Sequence, residues 1–307
     1  MVETASANIR IVLVEPAGPL NVGSVARVMK NMGLRQLILV NPQCDHLGEE
    51  ARLMAVRAAD ILETAKVVES LPAALVGCVR AIATTGDDAR SHPMQLEAPA
   101  DALPWLLEAP SALIFGREDC GLTNAELNRA QRLIRIPSSD AYTSLNLAQA
   151  VAICCYELYR EASSAADSVA DVADVTGRSS AASNVRDLTD VTDVTDATRR
   201  RKKSEGIFSQ SPTPPNSAPL ENLEGYYQQL ETLLLKIGYL QPHTAASRME
   251  KFRRLYNRAY PTVDEVAMLR GVIRQTDWAI KSYARSPVSD ILDGALPENP
   301  GESEPEC

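Results

Sequence analysis

No Cys-x-x-Cys pair occurs in this 307-residue chain. Its six cysteines (44, 78, 120, 154, 155 and 307) and three histidines (46, 92 and 243) are scattered. That excludes a zinc site of the usual spacing. It predicts reduced thiols in a cytoplasmic protein, several of them buried as small apolar residues. The first ten residues, Met1 to Arg10, have no apolar h-region, so no secretory signal is expected. No apolar run reaches the roughly 18 residues that a membrane span needs, so no membrane partner is expected. A Gly-x-Gly-x-x-Gly turn is missing too, which argues against a dinucleotide-type fold. Positive charge is in short supply: 31 Lys and Arg stand against 40 Asp and Glu, for a net −9 and a pI near 5.0. Taken in bulk, that balance disfavours a nucleic-acid partner.

The bulk value conceals an uneven distribution. Residues 286–307 hold six acidic residues and no Lys or Arg, whereas 221–285 hold ten basic against seven acidic, a net of +3. The acidity therefore sits partly in a tail, and one segment with a folding pattern is basic. With 45% hydrophobic residues, the chain can bury a sizeable core.

Up to residue 162, short apolar runs alternate with helical patterns. Strands are predicted at Ile9–Val14, Gln36–Val40, Val79–Ala83, Ala112–Phe115 and Leu133–Ile136. Helices are predicted at Val22–Met32, Glu49–Ala58, Leu71–Val76, Asn124–Arg129 and Leu145–Arg160. Nearly continuous Val, Ile and Leu runs suit a parallel sheet covered on both faces, so the fold class is α/β. Residues 163–220 carry Asp-Val-Thr repeats, the basic run Arg199–Lys203 and a Pro-rich stretch. Such composition predicts a disordered linker. The basic run suits either a solvated cluster or an RNA phosphate. From 221 to 285, apolar stripes at spacings of three and four predict three helices, a small bundle in need of a partner surface. Residues 286–307 read as a disordered acidic tail.

Three segments carry the candidate chemistry. The first, Asn21-Val-Gly-Ser-Val-Ala-Arg27, opens a helix whose N-terminal N–H groups suit a phosphate. Arg27 is either a phosphate or ribose ligand or half of a surface ion pair. In the second, Phe115-Gly-Arg-Glu-Asp-Cys-Gly-Leu122, Gly116 would let a ligand approach the backbone. Glu118 is its functional candidate, while Thr123 and Glu126 make a capping box. The third runs from Ile136-Pro137 to Ser144-Leu145-Asn146-Leu147, where Ser144 and Asn146 could also be plain helix caps.

In this order and spacing the three segments resemble motifs 1, 2 and 3 of the SpoU (TrmH-type) branch of the SPOUT RNA 2′-O-methyltransferases. Asn8–Glu15, Tyr142–Val151 and Lys251–Ala259 are similar to the TrmJ subgroup, which methylates nucleotide 32 of the tRNA anticodon loop. The resemblance implies a catalytic domain over 1–162 with a trefoil knot, followed by a helical extension over 221–285 that binds tRNA and dimerises. It implies S-adenosylmethionine as cofactor, held mostly by backbone groups at Thr84, Thr85, Gly86, Gly116, Ile136, Thr143, Ser144 and Leu145. It implies a site built from Asn21, Arg27, Glu118, Ser144 and Asn146. On chemical grounds Arg27 is expected to orient the ribose and phosphate, with Asn21 holding Arg27. Lys251, Arg253, Arg254 and Arg258 become candidate RNA contacts, against the reading of ordinary surface charge. The implied active unit is a homodimer. Two alternatives stay open: a SpoU 2′-O-methyltransferase acting on rRNA or another tRNA position, and a non-catalytic RNA-binding protein on the same fold.

Overall fold

A computed structural model describes residues 8–86, 95–139, 143–177 and 216–285; side chains are described up to 164 in the third span and up to 282 in the last. In chain order the elements are β1 (Ile9–Val14), α1 (Pro19–Asn31), β2 (Gln36–Val40), α2 (Glu49–Ala55), α3 (Ala59–Glu63), β3 (Lys66–Val68), α4 (Leu71–Leu75), β4 (Arg80–Thr84), β5 (Leu96–Glu97), α5 (Pro99–Ala102), β6 (Ser111–Phe115), α6 (Asn124–Leu127), β7 (Arg132–Ile134), α7 (Leu147–Gly177), α8 (Leu220–Lys236), α9 (Ala245–Ala259) and α10 (Val263–Arg285). The seven strands form one parallel sheet in the order β3-β2-β1-β6-β4-β7-β5.

Successive residues of a strand point to opposite faces, and both faces are buried. Ile9, Ile11, Leu13, Leu113 and Phe115 pack on one side with Val25 and Met29 of α1 and Val151 and Cys155 of α7. Val12, Val14, Ala112 and Ile114 pack on the other with α4 and with Leu223, Tyr226 and Tyr227 of α8. The partner surface that the C-terminal helices needed is thus the second face of the sheet. Polar contacts pin them there. Leu220 N–H donates to the Cys78 carbonyl (2.9 Å), Gly77 N–H to Glu221 (2.8 Å) and Asn257 Nδ2 to the Asn128 carbonyl (3.1 Å). Burial pushes the Cys78 thiol up to about 11 and Cys154 to about 12, so both stay protonated.

Several expectations need correction. The third to fifth predicted strands are shifted at their ends by up to two residues, and β3 and β5 were not foreseen. Those two span three and two residues and are not buried, too short for a period to register. Helix α1 begins at Pro19, not Val22, because proline fits the first helical turn. The linker expected from residue 163 starts inside α7, which runs on to Gly177. Extending an existing helix avoids the cost of nucleation, and alanines are frequent there. At the linker's far end Ala218 is buried and Ser217 pairs with Thr262. The Asp-Val-Thr repeat beyond Gly177, the basic run and the acidic tail lie outside the described residues. Among described residues, no helix is long and apolar enough to cross a membrane, and no His, Cys, Asp and Glu cluster could hold a metal.

Candidate functional site

The three sequence segments meet beyond the C-terminal ends of β1, β4, β6 and β7, the end of a parallel sheet where ligands usually bind. A cavity of about 350 Å³ opens there, a size suited to a small-molecule ligand. Its lining includes Thr84, Thr85, Gly86, Gly116, Glu118, Ile136, Thr143, Ser144 and Leu145, with Phe115, Leu122 and Leu147 supplying apolar surface. Ser144 is exposed on this wall. Every position that the resemblance marked for a cofactor therefore borders one cavity.

A hydrogen-bonded chain ties the segments together beside it. The Glu118 carboxylate accepts from Ala17 N–H (3.1 Å), Gly18 N–H (3.0 Å) and Asn21 Nδ2 (3.2 Å). Asn21 Oδ1 accepts from Asn146 Nδ2 (3.0 Å), and Asn146 Oδ1 accepts from the N–H groups of Ala148 and Gln149 at the start of α7. Asn146 is therefore both a helix cap and a link to the other two segments. The α1 N-terminus, which suited a phosphate on sequence grounds, is already served by the Glu118 carboxylate. Burial alone would raise the Glu118 pKa; the three hydrogen bonds outweigh it and hold it below the ordinary carboxylate value. A depressed pKa contributes stability above the unfolded value of about 4.3, lost as pH falls through the folded value. Glu118→Gln is expected to destabilise the chain by about 1–3 kcal/mol at neutral pH, because an amide cannot accept from all three donors. Thermal unfolding measured from pH 7 to pH 3 checks it: the gap to the parent narrows on acidification. A gap independent of pH would contradict this.

Arg117 was not foreseen. Its Nε donates to Glu15 (2.7 Å) and its Nη1 and Nη2 to Glu126 (3.0 and 3.1 Å). Its hydrogen bonds to Glu126, then to Glu15, raise its pKa, so the guanidinium is a fixed cation that clamps the 116–121 loop. Glu126 also completes the expected capping box with Thr123. Glu15 and Arg117 lie just beyond the ends of β1 and β6, whose adjacency no sequence pattern announces. Gly116 has a further reason beside the ligand approach anticipated for it. A Cβ there would stand 2.2 Å from the Gly121 carbonyl carbon and 2.4 Å from the Leu122 nitrogen. The backbone that approaches Gly116 is the chain's own.

Arg27 stands apart from this network. It is exposed and makes no hydrogen bond or ion pair among the described residues, so Asn21 does not hold it. Helical geometry explains why: six residues place the two on different faces of α1. On α9 the four basic candidates also separate. Lys251, Arg254 and Arg258 share one face at spacings of three and four. Arg253 points the other way, bonded through both terminal nitrogens to Glu224 (2.5 and 2.8 Å) and stacked 4.6 Å from the Tyr227 ring centroid. Its charge is spent within the fold, which removes it from the RNA-contact candidates.

Comparison with known proteins agrees with this geometry. Residues 8–156 match the SpoU rRNA methylase family, and residues 221–286 match the C-terminal domain of the tRNA methyltransferase TrmJ. The tRNA (cytidine/uridine/adenosine-2′-O-)-methyltransferase TrmJ of Pseudomonas aeruginosa is 36% identical over 285 residues, spanning 91% of this chain and 98% of that protein. The chain belongs to the TrmJ family. The tRNA (cytidine/uridine-2′-O-)-methyltransferase TrmJ of Pectobacterium atrosepticum is 35% identical over 87% of this chain and 95% of its own length. The crystal structure of TrmJ from Z. mobilis superposes with a TM-score of 0.66 at 26% identity, covering 87% of this chain and 98% of that one.

Proposed function

We propose that this TrmJ-family chain transfers a methyl group from S-adenosylmethionine to the ribose 2′-hydroxyl of nucleotide 32, a cytidine or uridine, in the tRNA anticodon loop. The observation that carries the reading is the junction of all three motif segments: one cavity, braced by Glu118, Asn21 and Asn146, beside an exposed and unpaired Arg27. The names of the P. aeruginosa and P. atrosepticum relatives supply the substrate class.

The residues present fit the cofactor. The cavity joins apolar surface from Phe115, Leu122 and Leu147 with polar backbone and hydroxyl groups. Glu118 and Asp119 on its wall are both held ionised, which suits a cationic ligand. Thr84 to Gly86, Gly116, Ile136 and Thr143 to Leu145 would hold it, within the knotted crossing that the family implies. When bound, S-adenosylmethionine supplies an electrophilic methyl group on a positively charged sulfur.

The remaining work falls to the chain's own groups. A guanidinium offers donors and no acceptor, so the part of Arg27 is to orient the ribose and its phosphate and to stabilise negative charge as the hydroxyl oxygen becomes nucleophilic. Glu118, bound by three donors, braces the α1 entrance. Ser144 lines the wall where the ribose edge would lie. Homodimerisation in the cytoplasm belongs to the same reading. Leu20 on α1 and Ile153, Tyr156 and Tyr159 on the neighbouring α7 are exposed, and such apolar surface suits a second copy.

The helical extension would grip RNA through Lys251, Arg254 and Arg258. Replacing any of them with Ala is expected to weaken tRNA binding and lower the salt slope of log K by about 0.7–0.9. Arg253→Ala should instead cost stability and leave the slope unchanged. Filter binding across a salt series, with thermal unfolding, separates the two. Incubation of unmodified tRNA transcripts and rRNA fragments with labelled S-adenosylmethionine tests the main proposal. Label in tRNA supports it, and label confined to rRNA overturns the substrate assignment.

A further inference from the structure

Arg27 is flanked on its own helix by two positions that grip one neighbouring segment. Four residues earlier, Gly23 lies so close that a Cβ built there would stand 2.1 Å from the Ala51 carbonyl oxygen and 2.9 Å from Met54 Cβ. Three residues later, Lys30 Nζ donates to the Arg57 carbonyl (2.7 Å) and pairs with Asp60 (2.7 Å). Positions four before and three after a residue share its helix face. Arg27 therefore lies along the seam between α1 and residues 53–57.

That seam has an unusual surface. Leu53 is 72% exposed, Val56 57% and Met54 37%. The Arg57 side chain is exposed and, like that of Arg27, makes no hydrogen bond or ion pair among the described residues. Val56 has φ 53° and ψ −104°, a conformation open to glycine and costly for a β-branched residue. An apolar side chain is thus held out in solvent, against its backbone preference, next to Arg57 in sequence and across the seam from the helix that carries Arg27.

We propose that this seam receives the unpaired nucleotide to be methylated. Arg27 and Arg57 take the flanking phosphates, and the apolar surface of Leu53, Met54 and Val56 carries the face of the base. The inference rests on the tRNA reading above and adds the surface that recognises the nucleotide. Single-stranded loops present splayed bases for such contacts, and phosphates supply the charge that two free guanidinium groups lack. A second copy is a poorer occupant, because a two-fold interface sets a patch against itself and would gather Arg27 and Arg57 of both copies in one interface.

Val56→Gly in the full chain tests this, with Arg57→Ala beside it. Glycine relieves the backbone while removing the apolar contact. The expected result for Val56→Gly is an unfolding temperature equal to or above that of the parent. S-adenosylmethionine affinity and sedimentation should be unchanged, with KM for tRNA raised about tenfold. Arg57→Ala should raise KM and flatten its salt dependence. Unchanged KM in both variants, while the parent methylates tRNA, overturns this inference alone. A raised KM accompanied by dissociation in the centrifuge assigns the seam to a second copy and overturns it as well. No transfer by the parent chain defeats the tRNA reading, and this inference falls with it.

Discussion

Arg27→Lys is expected to lower methyl transfer about 10²- to 10³-fold while leaving S-adenosylmethionine binding intact. The magnitude is that of removing one positioned donor from the place where charge develops. A guanidinium presents a planar fork of donors that can engage ribose and phosphate oxygens together; an ammonium is a point charge. The variant is a clean probe because Arg27 is exposed and makes no internal hydrogen bond or ion pair among the described residues. No polar contact among the described residues depends on its side chain, so lost turnover points to lost chemistry rather than lost structure. Single-turnover rates, calorimetric cofactor titration and tRNA binding should be read together. Near-parental turnover with intact tRNA binding would remove any specific role for the guanidinium.

Gly116→Ala is expected to abolish cofactor binding and to destabilise the chain by about 3 kcal/mol, the upper part of the range for overpacking. The added Cβ would meet three backbone atoms of Gly121 and Leu122 at 2.2 to 2.6 Å. Backbone cannot swing aside as a flexible side chain can. The loop would have to open, and with it the Arg117 clamp and the wall of the cavity. Gly121→Ala provides the contrast. Nothing lies within 4 Å of a Cβ at 121, and only its φ of 69° is unfavourable, so the cost should be about 1–2 kcal/mol. Denaturant unfolding and calorimetry with S-adenosylmethionine check the order. Equal effects of the two substitutions would contradict the close crossing as the reason for Gly116.

The layered sheet was legible because its strands are nearly continuous runs of Val, Ile and Leu, a pattern that parallel strands buried on both faces require. Ile9–Val14 and Gln36–Val40 emerge with the bounds read from sequence. The edge strands were not legible, since a three-residue Lys66–Val68 carries no period. At the site, the residue types of the motifs were visible, but their pairings were not. Glu118 and Ala17 are 101 residues apart, and Asn21 and Asn146 are 125 apart; only the sheet order brings them together. Asn21 and Arg27 share one helix, which made a contact between them plausible on paper. The helical turn sets them on different faces. Arg253 and Arg254 are neighbours in a basic run, yet one is paired with Glu224 and stacked on Tyr227 and the other is not. Sequence reads charge, whereas the fold decides which charges are already paired.

The seam beside Arg27 shows the same limit from the other side. Leu53, Met54 and Val56 read as part of an ordinary helix over Glu49–Ala58. The helix instead breaks at Val56, whose positive φ turns the chain and leaves these side chains outside the core. That break is what places apolar surface next to an unpaired arginine.

The central claim is the identity of the methylated atom. The most direct test is to react unmodified tRNA transcripts with S-adenosylmethionine, digest the product with nuclease and locate the added methyl group by mass spectrometry. A single 2′-O-methyl group on the ribose of nucleotide 32 is the expected result. A methyl group on a base, or on a ribose outside the anticodon loop, would contradict the account.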